Sequence, residues 1–208
     1  MNDTYFLNYF NSISNGLSSS KYFFNQKSIK PDFFFKNIKE ILLNLRETKN
    51  KIYFFGNGAS AAFANHMALD FSKNGKILSR SLSDSALLTA LANDFSYENA
   101  MLEYLKIEGV TKEDLVITIS SSGNSPNVVN VLKYCKENSI QTLALSGLED
   151  GNKSVTLSDF SVYVPMKTYG IVECIHQIFL HLMLDESMGI NEWDRIEVQN
   201  MNAANFKL

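Results

Sequence analysis

The amino-acid sequence predicts an α/β fold, a three-layer sandwich in which helices cover both faces of a parallel five-stranded sheet. Short runs of apolar, β-branched and aromatic residues alternate with longer stretches whose apolar residues recur at helical spacing. The run 115–119 is almost wholly apolar, which is typical of a central strand buried on both faces. A chain of 208 residues, 45 % of them hydrophobic, is long enough for one such domain.

The N-terminal part of the chain predicts two helices, over 2–24 and 31–48. Pro31 suits a first helical position, where no amide hydrogen is needed, and apolar residues then recur every three or four positions. We expect one domain with three parts: an N-terminal helical segment (1–50), an α/β core (51–188) and a C-terminal tail (189–208).

The core predicts a regular alternation of strands and helices. Five strands are expected, at 51–55, 77–82, 115–120, 142–146 and 160–164. Five helices are expected, at 59–73, 84–92, 97–108, 125–138 and 171–187. This alternation favours crossover connections and a parallel sheet. Because ligands of such sheets bind beyond the carboxyl ends of the strands, the loops that follow the strands are the candidate site.

The composition excludes several classes of protein. A net charge of −3 provides no electrostatic reason to expect nucleic acid as a partner. Two cysteines, Cys135 and Cys174, do not make a disulfide framework. The N-terminus does not resemble a signal peptide, and no apolar run approaches the roughly 18 residues that span a bilayer. We therefore expect a cytoplasmic protein that binds neither nucleic acid nor a membrane.

A glycine-containing loop follows the first strand of the core. Gly56, Gly58 and Ala61 match the loose pattern of a dinucleotide-binding turn. That kind of site also needs an acid about 20 residues further on, and the nearest candidate, Asp84, is too far along the chain. A nicotinamide or flavin site is therefore disfavoured, and a tight turn without a ligand stays possible.

A serine-rich loop follows the most apolar strand and precedes a helix. Ser125 suits an N-cap and Pro126 the first helical position, so that the exposed N–H groups of a helix start face several hydroxyls. This combination suits a phosphate. The loop contains no Lys or Arg, which argues against a nucleoside triphosphate and favours a phosphate monoester. The alternative is a well-capped turn without a ligand. The predicted binding residues are Ser120, Ser121, Ser122 and Ser125.

These two loops carry a family resemblance. The glycine loop (56–60) and the serine loop (120–127), together with the segment 83–95 and Ile175-His176 followed by His181, resemble the phosphoheptose isomerases of the sugar-isomerase (SIS) type. The resemblance implies a flavodoxin-like SIS fold and a homotetramer with active sites between subunits. It implies conversion of sedoheptulose 7-phosphate to an aldose heptose 7-phosphate for lipopolysaccharide or capsule biosynthesis.

The resemblance also implies roles for individual residues. A metal, expected to be one Zn²⁺ per subunit, would be held by His66, Asp70, Glu173 and His181. Asp70 would be the catalytic base and His181 the acid. Further substrate-binding residues would be Asn57, Gly58, Ser60, Asp94 and Glu173, with Asp84 as another candidate for a sugar hydroxyl.

Helical geometry leaves two of these assignments open. His66 and Asp70 share a helix face, but spacing alone favours a surface pair over a metal or catalytic pair. Glu173 and His181 are separated by a rise of about 12 Å, so Gln177 competes with Glu173 as the neighbour of His181. His176 lies on a different face, where a packed or solvated histidine is the simpler expectation.

The sequence departs from the family at two site positions. Asp70 stands where the family has glutamate, and Glu173 stands where the family has glutamine. A carboxylate shortened by one methylene, and an added charge, put the exact substrate in doubt. An isomerase of another phosphosugar is therefore one alternative. A non-catalytic SIS regulator, of the type that associates with the DnaA initiator, is the other.

Overall fold

A computed structural model describes residues 4–193. Of the predicted tail, the part from 194 onward lies outside the described residues. The helices are α1 (Tyr5–Ser19), α2 (Pro31–Thr48), α3 (Ala59–Lys73), α4 (Ser85–Phe95), α5 (Tyr97–Ile107), α6 (Pro126–Glu137), α7 (Lys153–Leu157) and α8 (Tyr169–Met188). The strands are β1 (Lys21–Phe24), β2 (Lys27–Ile29), β3 (Ile52–Gly56), β4 (Ser79–Ser81), β5 (Leu115–Ser120), β6 (Gln141–Gly147) and β7 (Phe160–Val164).

One sheet contains all seven of these strands, in the order β2-β1-β7-β6-β5-β3-β4. The five strands from β7 to β4 are parallel and correspond to the five predicted strands. The predicted α/β class and its parallel core are therefore confirmed. Of the described helices, none is long and apolar enough to cross a membrane.

The prediction of one helix over 2–24 is wrong. That helix ends at Ser19, and residues 21–29 form a hairpin whose first strand pairs antiparallel with β7, so that the sheet is mixed. Asn25 and Gln26 both have positive φ, which is the backbone of the two-residue turns that join twisted strands. The pairing buries Tyr22 against Phe34 and Phe179. The pairing with β7 and the contact with Phe179 stabilise this strand through residues far away in the sequence.

Successive strand residues point to opposite sides of the sheet, so that both faces are apolar, and helices cover both of them. In β3, Ile52 and Phe54 join the core beneath α2, α3 and α8. Tyr53 and Phe55 join a second core beneath α4, α5 and α6. The short helix α7 was not predicted, and α4 ends three residues later than predicted.

The sheet register brings the two candidate loops together. Strands β3 and β5 are parallel neighbours, and Gly56 pairs with Ile119 at their carboxyl ends. The glycine loop leaves β3 immediately after this pair, and the serine loop leaves β5 one residue later. Two segments more than 60 residues apart in the chain therefore begin side by side.

Candidate active site

The serine loop turns sharply between β5 and α6. The Gly123 N–H donates to the Ser120 carbonyl at 2.9 Å, and Gly123 has a φ of +64°. This backbone region suits glycine, since L side chains rarely adopt it. A Cβ at Gly123 would also collide with the Asn152 carboxamide. The close turn therefore depends on the absence of a side chain at this position.

The back of this turn is held by the segment that contains α7. Ser154 donates to the Gly123 carbonyl through its Oγ at 3.0 Å and its N–H at 2.9 Å. Asn124 accepts from the Lys153 N–H at 3.0 Å and donates to Glu149 Oε2 at 3.0 Å. Because its side-chain amide is bonded to this segment, Asn124 braces the turn from behind and does not occupy the serine hydroxyls.

The front of the turn lines a cleft of about 220 Å³. Its polar lining comes from Ser60, Ser120, Ser121, Ser122, Ser125, Asn57, Tyr169 and Glu173. No Lys or Arg is among the described residues that line this cleft. The Ser121 hydroxyl is buried without a hydrogen-bond partner in the described part of the chain. Neutral donors and the N-terminus of α6 therefore converge on one space, as an anion requires.

The glycine loop supplies the opposite side of the cleft. Gly56 permits close packing, because a Cβ there would lie 2.7 Å from the backbone of Ser60. Ser60 is buried in the first turn of α3 and lines the cleft. Gly58, with a φ of +56°, lines a neighbouring cavity of about 150 Å³. The Asn57 side chain lines both spaces.

The two aspartates proposed to hold sugar hydroxyls do not line this cleft within one chain. Asp84 is the N-cap of α4 and accepts from the Leu87 N–H at 2.7 Å. Asp94 is exposed and accepts from Asn93 Nδ2 at 3.0 Å. Asp84 therefore has a local structural function, and any contact of Asp94 with substrate would involve a different surface.

A second group of polar side chains lies between α3 and α8. His66 Nε2 is 3.2 Å from Asp70 Oδ2, and the rings of His66 and His181 are 5.7 Å apart. Gln177 Nε2 is 2.7 Å from His181 Nε2, whereas Glu173 lines the serine cleft. The structure therefore brings together three of the four predicted metal ligands, and Gln177 is the observed neighbour of His181. We refer to His66, Asp70, Gln177 and His181 as the histidine cluster.

The histidine cluster provides the donor types that Zn²⁺ uses, two imidazoles and a carboxylate. Gln177 Oε1 is buried without a partner among the described residues, which leaves one more oxygen beside His181. Among residues 4–193, however, no three His, Cys, Asp or Glu side chains are grouped closely enough to hold a metal ion. The residue types therefore suit zinc, but within one chain the side chains are not arranged closely enough to enclose an ion.

The serine cleft and the histidine cluster lie along the same two helices. On α3, Ser60 is at the cleft and His66 is six residues further, a rise of about 9 Å. On α8, Glu173 is at the cleft and His181 is a rise of about 12 Å further. His181 also borders a groove of about 750 Å³ beside α2. In a single chain, the cleft and the cluster are therefore adjacent but open separately.

His176 belongs to neither group. Its ring is completely buried and Nε2 lies 3.2 Å from the Ser146 carbonyl oxygen, which can only accept. Burial lowers the pKa of His176 to about 4, so that the ring is neutral in the folded protein. The residue joins α8 to the end of β6, in agreement with the expectation of a packed histidine.

The sequence analysis missed three residues of this region. Tyr169 lines the serine cleft from the first turn of α8. Asn127 and Tyr97 both hydrogen-bond to Asn57. Asn127 is part of the serine motif, but no spacing rule indicated its partner 70 residues away.

Comparisons with known proteins agree with this arrangement. The family model described as SIS domain matches residues 35–147, more than half of the chain. The phosphoheptose isomerase of Helicobacter pylori (strain Shi470) is 35 % identical over 151 residues, covering 70 % of this chain and 78 % of that protein. That of Aneurinibacillus thermoaerophilus is 33 % identical over 147 residues, covering 68 % and 73 %.

Solved structures show the same fold. Phosphoheptose isomerase GmhA from Neisseria gonorrhoeae has a TM-score of 0.75 at 25 % identity, covering 89 % of this chain and 95 % of that one. A phosphoheptose isomerase from Francisella tularensis has a TM-score of 0.74 at 18 % identity, covering 88 % and 94 %. The fold and the serine cleft define a SIS-domain protein. More narrowly, the chain belongs to the phosphoheptose isomerase family.

Proposed function

We propose that this protein is a sedoheptulose 7-phosphate isomerase, which converts the ketose to an aldose heptose 7-phosphate for lipopolysaccharide or capsule biosynthesis. The observation that carries the proposal is the serine cleft, at the carboxyl edge of a parallel sheet. The identity of 35 % with a phosphoheptose isomerase supports the choice of substrate.

The serine cleft is suited to a single phosphate group. Hydroxyls and the N-terminus of α6 provide donors for a dianion, and the buried Ser121 hydroxyl has no hydrogen-bond partner among residues 4–193. Glu173, at the edge of the cleft, would repel a phosphate placed against it and would accept hydrogen bonds from sugar hydroxyls. The phosphate is therefore expected at the serine turn, with the sugar extending past Glu173.

The isomerisation moves a proton between two neighbouring carbons. A base removes the C1 proton of the ketose, and the electron pair forms a C1–C2 double bond while the C2 oxygen gains a proton. Return of a proton to C2 and loss of the O1 proton complete the aldose. Asp70 is the proposed base and His181 the proposed acid. His66, at 3.2 Å from Asp70, orients that carboxylate.

Zinc is part of the proposal, at one ion per subunit. His66, Asp70 and His181 would hold it, with the predicted ligand Glu173 or its competitor Gln177 completing the set. When bound, Zn²⁺ would polarise the oxygens of the sugar carbonyl and hydroxyl groups.

A homotetramer is part of the proposal and is supported by the family resemblance. A sugar held at the serine turn must reach an acid and a base, and a second copy could supply them at a shared site. The α1 helix exposes Tyr5, Phe6 and Phe10, which is typical of a surface covered by another protein. The single-domain division and the cytoplasmic location remain predictions of the same kind.

The test is an isomerisation assay on the full-length protein. Sedoheptulose 7-phosphate, unphosphorylated sedoheptulose and fructose 6-phosphate are incubated with and without Zn²⁺, and aldose products are separated and quantified. The proposal expects product from the phosphorylated heptose alone, formed at a higher initial rate when zinc is present. Product from fructose 6-phosphate instead would favour another phosphosugar, and no product from any sugar would favour a non-catalytic SIS regulator.

A further inference from the structure

An amide network lies directly behind the serine cleft. Asn57 Oδ1 accepts from Asn127 Nδ2 at 2.9 Å and from the Tyr97 hydroxyl at 2.9 Å. Asn57 Nδ2 donates to Asn127 Oδ1 at 2.9 Å. An amide oxygen accepts two hydrogen bonds and an amide nitrogen donates two. The oxygen of Asn57 therefore accepts its full two hydrogen bonds, and one of its two N–H groups has no partner in the part of the chain that the structure describes.

The direction of every hydrogen bond in this network follows from a backbone group. The Val128 N–H lies 3.0 Å from Asn127 Oδ1, and a backbone N–H can only donate. The Asn127 atom at this position must therefore be oxygen, and its other amide atom must be the nitrogen that donates to Asn57. Since Asn127 is 2 % exposed, water does not compete for these bonds. The orientation of the Asn57 amide is thus set by the first turn of α6.

The network joins the two loops of the candidate site. Asn57 belongs to the glycine loop after β3 and lines the serine cleft. Asn127 follows Pro126 at the start of α6, immediately after the serine turn. Tyr97 is the first residue of α5. The relative position of the loops is therefore held by paired side chains in addition to the sheet register.

We propose that Asn127, assisted by Tyr97, is a positioning residue that presents the remaining Asn57 N–H to the substrate. This inference rests on the proposed function, since the ligand is the phosphorylated sugar. Asn57 then acts only as a donor, and it selects an oxygen that can accept, such as a phosphate or carbonyl oxygen. With the Asn57 amide reversed, its carbonyl oxygen would face the ligand, and such an oxygen would be repelled.

The discriminating variant is Asn127→Asp. It preserves shape but replaces the Asn127 Nδ2 donor by a carboxylate oxygen, which repels Asn57 Oδ1 instead of donating to it, so that the Asn57 amide is no longer held in its wild-type position. The expected effect is a fall in kcat/KM of roughly 10- to 100-fold, mainly through KM. The matched control is Asn130→Asp, one turn along the same helix, where Nδ2 donates to the Glu98 carbonyl and to Asn99 Oδ1 on α5. That variant weakens the contact between α6 and α5 without touching Asn57, and its kcat/KM is expected to change by less than roughly threefold.

A double-mutant cycle separates positioning from general packing. In an Asn57→Ala background, Asn127→Asp should have almost no further effect on KM, because the amide that it positions is gone. Tyr97→Phe removes only one hydroxyl from a side chain that is half exposed, and it should raise KM by a smaller factor. It serves as the second variant if Asn127→Asp does not fold. Additive losses in the cycle, or equal losses in Asn127→Asp and Asn130→Asp, would overturn the inference.

Calorimetric titration with sedoheptulose 7-phosphate distinguishes this inference from the proposed function. Binding that weakens in Asn127→Asp but not in Asn130→Asp, without any turnover by the wild type, would contradict the isomerase proposal alone. If the wild type converts the sugar, and neither variant changes binding or turnover, only the positioning role of Asn127 would be contradicted. A wild-type protein that neither binds nor converts the sugar would overturn both.

Discussion

Replacement of Gly123 by alanine should destabilise the protein more than alanine at another glycine of similar backbone conformation. At a φ of +64°, an L side chain introduces strain of about 1–2 kcal/mol. The new Cβ would also displace the Asn152 carboxamide. Asn152 donates to Ser146 Oγ and to the Glu149 carbonyl, and it accepts from the Val155 N–H at the start of α7.

The size of the effect follows from those contacts. Three hydrogen bonds at about 0.5–1.5 kcal/mol each, lost in part, contribute about 2–3 kcal/mol. Together with the backbone strain, Gly123→Ala should lower the free energy of unfolding by about 3–5 kcal/mol. Gly109→Ala is the control, because Gly109 has a φ of +70° and open space where a Cβ would lie. It should lose only the strain, about 1–2 kcal/mol.

Urea unfolding at one protein concentration measures both variants against the wild type. A fixed concentration matters because any subunit association adds to the apparent stability. If Gly123→Ala and Gly109→Ala lose the same free energy, the serine turn does not depend on close packing against Asn152. The proposed bracing of the turn by the α7 segment would then be wrong.

Three further predictions concern the site and the buried histidine. Asp70→Asn should abolish turnover and leave phosphosugar binding nearly intact, because an amide cannot take a proton from carbon; calorimetry and the isomerisation assay measure the two separately. Ser122→Ala should raise KM several-fold with a smaller change in kcat, since it removes one hydroxyl from the cleft that we propose to bind the phosphate. His176 should make the protein less stable in mild acid. Its pKa is about 4 in the folded protein and 6.5 in the unfolded chain, so stability is complete above pH 6.5 and falls as the pH drops toward 4, by up to about 3 kcal/mol. Urea midpoints at pH 7.5 and 5 should therefore differ less in His176→Gln than in the wild type.

Each of these predictions can fail clearly. Full activity in Asp70→Asn would show that another group is the base, and Glu173, the carboxylate that lines the cleft, would be the next candidate. An unchanged KM in Ser122→Ala would place the phosphate outside the serine turn. An identical loss of stability in acid for wild type and His176→Gln would assign that loss to other groups.

Much of the parallel core could be predicted from the sequence. Runs such as 115–120 are apolar enough to be strands buried on both faces, and the intervening helices have the length of crossovers. The rule that ligands bind beyond the carboxyl ends of strands then selected two loops that line one cleft in the structure. The four serines predicted to bind phosphate do line one cleft, together with Ser60.

The hairpin over 21–29 could not be predicted in the same way. Tyr22, Phe23 and Phe24 are apolar neighbours that satisfy a helical stripe and a strand equally well. These residues form a strand and not a helix because the edge of β7 is available for pairing, almost 140 positions later in the chain. A local pattern contains no information about whether such an edge is available.

By itself, the sequence determined the class of fold, the two loops that form the cleft and the kind of ligand that a hydroxyl-lined helix start can hold. These properties depend on periodicity, capping and turn chemistry, which act between residues close together in the chain. Only the tertiary structure decided that Glu173 lies at the serine cleft, that Gln177 contacts His181 and that Asn57 is bound by Asn127 and Tyr97. Those outcomes depend on which helix faces which loop, and that is set by the packing of the whole sheet.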